Sequence, residues 1–224
     1  MSIFPGRFRR MQEALDRRQP DLTVVMEGVH KPHNFSAVIR TADAVGLLEV
    51  HAVVEGGNLR PQQNVAKGAH RYTEIRAHRD TADAIDELGR RGFRMIALDP
   101  SDDGSDFREI DYTVPTALIL GEERTGLSDD ALGMSSEKVR IPMEGLGASL
   151  NVSVAAALVL FEAQRQRRRA GLYDQPRVSE AVRRKILFEW AHPGFARLCR
   201  DKGIAYPELD DEGNLIEVPW RTGC

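Results

Sequence analysis

Three polar segments of the sequence contain the residue types best suited to chemistry, and each is expected to follow a buried strand. They are residues 34–46, 118–128 and 141–155. Ligands of parallel α/β proteins bind where the carboxyl ends of the strands meet, at one edge of the sheet. We therefore expect the three segments to come together in one site.

The third segment contains a glycine-rich loop at residues 144–148. Such a loop between a strand and a helix presents backbone N–H groups to a ligand. Ser149 is predicted to cap the helix, which is apolar on nearly every face from Val152 to Phe161 and is expected to be buried. Asn151 lies at the mouth of this helix, where its amide requires hydrogen-bond partners. The polar pair therefore indicates ligand binding at the loop.

Two other interpretations of the loop stay open. Gly145 and Gly147 give the G-x-G of a dinucleotide-binding turn, which would indicate a nucleotide-dependent oxidoreductase. Leu150 stands where that fingerprint has a third glycine, and no βαβ unit with an acidic residue follows, so this interpretation is disfavoured. The loop can also be a structural turn that binds nothing.

The elements that must position these segments alternate between apolar runs and helical patterns. This alternation predicts an α/β fold with a mainly parallel sheet and helices on both faces. Strands are predicted at residues 22–29, 48–54, 72–76, 94–98, 116–120 and 139–143. A loop is predicted at residues 30–35, and helices at residues 36–45, 64–69 and 82–91, the last capped by Thr81, and after a cap at Ser128.

The chain divides into three parts. Residues 1–20 are predicted to form a basic helical N-terminal extension, and residues 21–169 the α/β domain. Residues 170–224 form a helical C-terminal extension, with helices near 179–191 and 194–202. This extension is too short and polar to build a core of its own.

Positive charge is concentrated in two segments of a chain whose net charge is −3. Residues 1–20 carry five arginines against two acidic residues, and residues 165–200 carry ten lysines and arginines against three. Arginine makes bidentate contacts to phosphate, so phosphate binding is favoured over two merely solvated helices. The arginines expected to make these contacts are Arg7, Arg9, Arg10, Arg17, Arg18, Arg165, Arg167, Arg168 and Arg169.

Other functional classes are disfavoured. No apolar run is long enough to span a membrane, and the N-terminus lacks the apolar stretch of a signal peptide. Cys199 and Cys224 have no motif spacing and indicate free thiols in a cytoplasmic protein. His30 and His33 have no Cys, His or Asp cluster to complete a site, so no metal is expected.

Taken as an ordered set, the three segments resemble the signature motifs of a known family. NFSAVIRTADAVG, LILGEERTGLS and IPMEGLGASLNVSVA are similar to those of the SpoU-type RNA ribose 2′-O-methyltransferases of the SPOUT superfamily, over residues 21–169. The flanking RRQPDLTVVMEGVHKPHN and FREIDYT resemble the members that act on the tRNA D-loop. The resemblance implies a C-terminal trefoil knot, a rare exception to the usual topology of proteins. It also implies a homodimer with sites at the interface, S-adenosylmethionine as cofactor, no metal, and methyl transfer to the ribose of guanosine 18.

The resemblance assigns roles to five residues. Arg40 matches an arginine proposed to engage the substrate phosphate and to assist deprotonation; because arginine almost never loses its proton, positioning is the easier role. Asn34 would hydrogen-bond near Arg40. Glu123 would pair with an arginine or orient the RNA. Ser149 and Asn151 would bind substrate and cofactor near the transferred methyl group.

The cofactor would lie in an apolar slot with a few hydrogen bonds. The residues at the lining positions of the family are Leu98, Gly121, Ile141, Met143 and Leu150. Leu98 stands where a small hydroxyl residue is expected, so a side-chain contact there is lost, although the backbone can still serve.

Two alternatives remain within this resemblance. A ribosomal RNA ribose methyltransferase often carries a separate N-terminal RNA-binding domain, which about twenty residues before the first predicted strand cannot provide. A non-catalytic RNA-binding relative would be free to lose the motif side chains, and all five are present.

Overall fold

The structure is a computed structural model in which residues 4–54 and 71–217 are described. This part of the chain contains one sheet of seven strands in the order β3-β2-β1-β6-β4-β7-β5, with every pair parallel. The strands are β1 (Leu22–Glu27), β2 (Glu49–Val53), β3 (Glu74–His78), β4 (Arg94–Leu98), β5 (Ser105–Asp106), β6 (Thr116–Leu120) and β7 (Glu137–Arg140). The helices are α1 (Pro5–Asp16), α2 (Pro32–Val45), α3 (Thr81–Arg90), α4 (Asp129–Met134), α5 (Val152–Arg169), α6 (Glu180–Ala191) and α7 (Pro193–Lys202). The predicted α/β fold with a mainly parallel sheet is confirmed.

Helices pack on both faces of the sheet. Side chains alternate along a strand, so β1 directs Val24 and Met26 to one face and Val25 to the other. The face with Val24 and Met26 packs against α2 and α5, and the face with Val25 packs against α3 and α4. Because both faces are covered, β1 and β6 are almost wholly apolar rather than alternating.

The carboxyl ends of the central strands lie side by side. Met26 of β1 and Leu98 of β4 are both in register with Leu120 of β6. The loops that follow these three strands therefore leave the sheet at the same edge, and two of the three polar segments begin there.

Helix α2 begins four residues before the predicted start at Ser36. Pro32 occupies its first turn, where a missing backbone N–H costs nothing and the fixed φ angle suits a helix. The predicted loop at residues 30–35 was therefore too long. As a consequence, Asn34 is a buried residue of a helix rather than a loop residue.

The N-terminus of α5 also differs from the prediction. Asn151, not Ser149, is the N-cap, and its side chain accepts a hydrogen bond from the Ser153 N–H at 2.9 Å. Strand β7 ends at Arg140, so residues 141–151 form a longer connection than expected.

Helix α5 is not buried on all faces, which corrects the prediction from its composition. Val154, Leu158 and Phe161 are 48%, 42% and 49% exposed. Their spacing places them along one stripe of the helix, which we call the α5 apolar stripe. The opposite side, including Ala156, Val159 and Leu160, packs in the core.

Helix α3 is capped by Asp80, whose side chain accepts from the Asp83 N–H at 2.8 Å. The predicted cap, Thr81, is instead the first helical residue, and its hydroxyl donates to Glu27.

The predicted helix at residues 64–69 lies outside the described residues. No helix in the described ranges has the length and apolar character needed to cross a membrane.

The chain forms two compact units, residues 19–174 and residues 1–18 with 175–224. The first contains the sheet with α2 to α5. In the second, α1 buries Phe8, Met11 and Leu15, which have the helical spacing seen in the sequence. Helix α6 is capped by Ser179 and lies where a helix was predicted, near residues 179–191. The ring of its Phe188 stacks on Tyr206 with the centroids 4.6 Å apart.

Candidate functional site

One side chain from each polar segment meets in a hydrogen-bonded cluster at the carboxyl edge of the sheet. Asn151 Nδ2 donates to Glu123 Oε1 at 2.6 Å and to Asn34 Oδ1 at 3.1 Å. Asn34 Nδ2 donates to the same Glu123 oxygen at 2.6 Å. We call these three residues the amide–carboxylate cluster. Residues separated by up to 117 positions in the chain are thereby fixed against one another.

The orientation of Asn151 is set by the helix it caps. Its Oδ1 accepts from the Ser153 N–H at 2.9 Å and from the Ser153 hydroxyl at 2.6 Å. With the oxygen held by the helix N-terminus, the amide nitrogen must face Glu123 and Asn34. The start of α5 therefore positions a donor in the site.

Glu123 is held as a carboxylate. Its Oε2 accepts from Lys31, which makes an ion pair with it, and its Oε1 accepts from both asparagines. The hydrogen bonds from Lys31 and Asn34 lower the pKa of Glu123 below its usual value. The sequence predicts that Glu123 pairs with an arginine or orients the RNA. The ion pair with Lys31 was not predicted, because Lys31 precedes the matching motif.

Arg40 follows Asn34 on the same helix but is not a member of the cluster. The two residues are six positions apart on α2, so their side chains leave the helix about 120° apart. Arg40 is exposed, and no hydrogen bond within the described residues joins it to Asn34 or to Glu123. Its guanidinium is therefore accessible to a group from outside this chain.

A cavity of about 560 Å³ adjoins the cluster. Its volume is in the range of small-molecule sites. All five predicted cofactor-lining residues line it, together with Glu123 and Ser149. Those five are Leu98, Gly121, Ile141, Met143 and Leu150. The structure thus brings the predicted apolar lining into one place.

Gly121 allows the loop after β6 to fold back on itself. A Cβ at this position would lie 2.4 Å from the carbonyl carbon of Gly126 and 2.6 Å from the Leu127 nitrogen. The same turn is closed by reciprocal hydrogen bonds between Glu122 and Gly126, at 3.0 and 2.9 Å. Only glycine fits this approach, which keeps one wall of the cavity made of backbone.

The cavity also has polar lining that sequence reasoning missed. Asp99, Arg124 and Arg140 line it. Asp99 follows β4, Arg124 lies within the segment 118–128, and Arg140 ends β7 just before the segment 141–155. The only available signal was their position after strands, which many surface residues share. Four carboxylates line the cavity against these two arginines, namely Asp99, Asp102, Glu122 and Glu123. The lining therefore suits a ligand with an apolar ring, hydroxyl groups and positive charge.

The structure corrects two of the predicted phosphate-binding arginines. Arg167 is completely buried and donates to the carbonyl oxygens of Tyr112, Val114 and Asp21, and to the side chains of Gln19 and Asp21. Its guanidinium therefore ties α5 to the start of β1 and cannot face a phosphate. Arg18 is only 2% exposed and lies over the Trp190 ring.

The remaining arginines of the prediction are exposed, namely Arg7, Arg9, Arg10, Arg17, Arg165, Arg168 and Arg169. Some have neighbours that fix their direction. Arg165 makes two hydrogen bonds to Glu162, at 2.8 and 2.6 Å, and the Arg168 guanidinium lies 5.0 Å from the Tyr173 ring centroid.

Across residues 4–54 and 71–217, no group of three or more His, Cys, Asp or Glu side chains is arranged to hold a metal.

Comparison with known families and curated proteins adds independent findings. Residues 21–161 match the SpoU rRNA Methylase family, and residues 165–218 match the C-terminal region of SpoU rRNA methylases. A curated relative is the tRNA (guanosine(18)-2′-O)-methyltransferase of Escherichia coli K12. It is 47% identical over 219 residues, which cover 96% of each chain.

Solved structures are similar as well. The A. aeolicus TrmH/SpoU tRNA modifying enzyme has a TM-score of 0.79 and 39% identity, over 84% of this chain and 96% of that one. An AdoMet-bound rRNA methyltransferase from Sinorhizobium meliloti has a TM-score of 0.59 and 30% identity, over 69% of this chain and 59% of that one.

Proposed function

Because the chain belongs to the SpoU methylase family, we propose that it methylates the ribose 2′-hydroxyl of guanosine 18 in tRNA, with S-adenosylmethionine as methyl donor. The observation that carries this proposal is the meeting of Asn34, Glu123 and Asn151 beside a cavity of cofactor size. The identity with curated tRNA guanosine-18 enzymes, over nearly the whole chain, selects tRNA as the substrate.

S-adenosylmethionine is the cofactor, and it supplies a methyl group on a positively charged sulfur. Leu98, Ile141 and Leu150 provide apolar walls for the adenine ring, and Gly121 leaves backbone groups open for hydrogen bonds. The carboxylates of the lining favour a cation over a neutral product, which assists release of S-adenosylhomocysteine.

The residues of the chain must also make a ribose hydroxyl reactive. That hydroxyl is a weak nucleophile until its proton is shared or removed. An arginine side chain is a hydrogen-bond donor and not a practical base, so we assign Arg40 to holding the substrate phosphate and the developing oxyanion rather than to removing a proton. The amide–carboxylate cluster forms a fixed wall against which the nucleotide is placed. Ser149 lines the adjoining cavity.

A homodimer with the knotted topology of the family completes this proposal. The α5 apolar stripe offers a surface for a second copy, since an exposed row of large apolar side chains on one helix is typical of interfaces. Arg40, which points away from the cluster of its own chain, would then meet the substrate held by the partner. The segments that line the cavity, which follow β4, β6 and β7, are those that the knot would join.

The exposed arginines of α1 and of the C-terminal turn of α5 would contact the tRNA backbone. They are Arg7, Arg9, Arg10, Arg17, Arg165, Arg168 and Arg169. With tRNA as its substrate, the enzyme would act in the cytoplasm. The flanking residues 1–20 and 170–224 would act as helical extensions of a methyltransferase domain at residues 21–169.

Methyl transfer to an unmodified tRNA transcript with labelled S-adenosylmethionine, followed by mapping of the label, tests this function. We expect label on the guanosine 18 ribose, a loss of at least a hundredfold in rate with Arg40→Ala, and no loss with Arg90→Ala, an exposed arginine of α3. Transfer only to ribosomal RNA would overturn the substrate. Binding of tRNA without any transfer would indicate a non-catalytic relative.

A further inference from the structure

Asp99 is a carboxylate of the cavity to which the proposed mechanism assigns no contact of its own. It follows the last residue of β4, and its backbone N–H donates to the Val139 carbonyl at 3.0 Å, which extends the pairing of β4 with β7 by one residue. Its backbone position is therefore fixed by the sheet. Leu98, Asp99 and Pro100 all line the cavity at this end of β4.

One oxygen of this carboxylate is already bound and the other is available. Asp99 Oδ1 accepts from the Ser101 N–H at 2.9 Å, which orients the side chain. Within residues 4–54 and 71–217, no donor is hydrogen-bonded to Oδ2. Arg140, a cation that also lines the cavity, directs its Nε to the Gly104 carbonyl at 3.1 Å.

We propose that Asp99 accepts hydrogen bonds from the ribose 2′- and 3′-hydroxyls of S-adenosylmethionine and is a specificity-determining residue for that ribose. A carboxylate is an acceptor only, and adjacent hydroxyls are a donor pair that it can bind with charge-assisted bonds. Leu98 forms part of the apolar wall suited to adenine, and the ribose is joined to adenine by a single bond. The residue after Leu98 is therefore placed to reach the ribose.

This assignment also accounts for Leu98. A leucine side chain offers no hydroxyl to the cofactor, so a side-chain contact at this end of β4 would have to come from a neighbour. Asp99 supplies an acceptor one residue later, at the same end of β4.

The inference rests on the proposed placement of the cofactor in this cavity, so the test separates the two. Calorimetry measures binding of S-adenosylhomocysteine and of its 2′,3′-dideoxy analogue to the full-length protein. In the unmutated protein the ribose form should bind at least tenfold more tightly, because the dideoxy form leaves the carboxylate unpaired. Asp99→Ala should weaken the ribose form at least tenfold, leave the dideoxy form nearly unchanged, and bring the ratio close to one.

Asp102→Ala is the matched control, since it removes an equal charge from the same lining but from an exposed residue. It should keep the ratio of the unmutated protein. An unchanged ratio in Asp99→Ala, or an equal loss for both ligands, overturns the inference.

A cavity-filling variant, Ile141→Trp, reports on the cofactor placement itself. If Ile141→Trp loses binding while Asp99→Ala keeps the affinity ratio of the unmutated protein, only the role of Asp99 is refuted. Unchanged binding in both variants refutes the placement of the cofactor in this cavity. Circular dichroism confirms that each variant is folded.

Discussion

Asn151 Nδ2 lies 2.6 Å from Glu123 Oε1, so the residue that caps α5 is hydrogen-bonded to the carboxylate of the loop after β6. The same asparagine thus performs two tasks, and they use different atoms. Its Oδ1 holds the helix N-terminus, while its Nδ2 holds Glu123 and Asn34. Substitutions can therefore separate folding of the helix from assembly of the site.

Asn151→Asp should separate these tasks. The carboxylate keeps the cap to Ser153, but it removes both donors and places a negative charge next to Glu123. We expect methyl transfer to fall by about a hundredfold or more, about 3 kcal/mol of transition-state stabilisation, while the melting temperature changes little. Ser153→Ala, which leaves the donors of Asn151 in place, should keep most of the activity. Equal rates for Asn151→Asp and the unmutated protein would contradict a role for the cluster.

Arg167 should behave as a structural residue. Arg167→Ala leaves Asp21 and two carbonyl groups without their buried partner, so the free energy of unfolding should fall by about 3–5 kcal/mol. Urea unfolding measures this change. The salt dependence of tRNA binding by the folded fraction should stay the same, and a reduced slope with unchanged stability would show that Arg167 contacts RNA instead.

The exposed neighbours Arg168 and Arg169 should behave in the opposite way. Replacing both with alanine removes two phosphate contacts, so the slope of log affinity for tRNA against log salt should decrease by about 1.5–2 in magnitude. Stability should change by less than about 0.5 kcal/mol because both side chains are exposed. Binding that is unchanged at two salt concentrations would contradict the contact.

Glu49 should make stability depend on acid pH. Burial alone raises the pKa of Glu49, but His51 and the charges of Arg91 and Arg76 outweigh it and lower the pKa from 4.5 to about 2. A depressed pKa stabilises the folded state above the unfolded value near 4.5, and this stabilisation is lost as the pH falls towards 2.

Glu49→Gln should therefore cost about 3 kcal/mol at pH 7, and the difference from the unmutated protein should shrink as the pH falls below 4.5. Glu74→Gln is a matched control, because Glu74 also pairs with Arg76, at 3.3 Å, but is 60% exposed; it should cost less than about 1 kcal/mol. Urea unfolding at pH 7 and pH 3 checks both. A pH-independent difference would show that the cost comes from packing rather than from charge.

The α5 apolar stripe should hold two copies together. Leu158→Asp places a charge in the middle of the stripe and should convert a dimer into a monomer in light scattering. Val182→Asp is the control, since Val182 is equally exposed, at 42%, on α6. A dimer that survives Leu158→Asp would exclude the stripe as the interface.

The parallel sheet was predictable from the sequence, because strands that are buried on both faces are continuous apolar runs. Strands β4 and β6 begin and end at the predicted residues. The sequence also predicted that the three polar segments come together at one edge of the sheet, because each was expected to follow a strand. It did not predict that Asn34, Glu123 and Asn151 are hydrogen-bonded to one another there. It could not predict that Arg167 is buried, because its partners are distant in the chain and three of them are backbone carbonyl groups, which carry no side-chain signal. The cap of α5 is Asn151 rather than the predicted Ser149. The sequence could not distinguish the two, because either side chain can cap a helix.

The most direct test of the proposed activity is methyl transfer to a tRNA that carries 2′-deoxyguanosine at position 18. This tRNA keeps the base, the fold and the phosphates but lacks the oxygen that receives the methyl group. We expect about one methyl group per molecule of the unmodified tRNA and none on the deoxy form. Equal transfer to both tRNAs would contradict methylation of the ribose 2′-oxygen at that nucleotide.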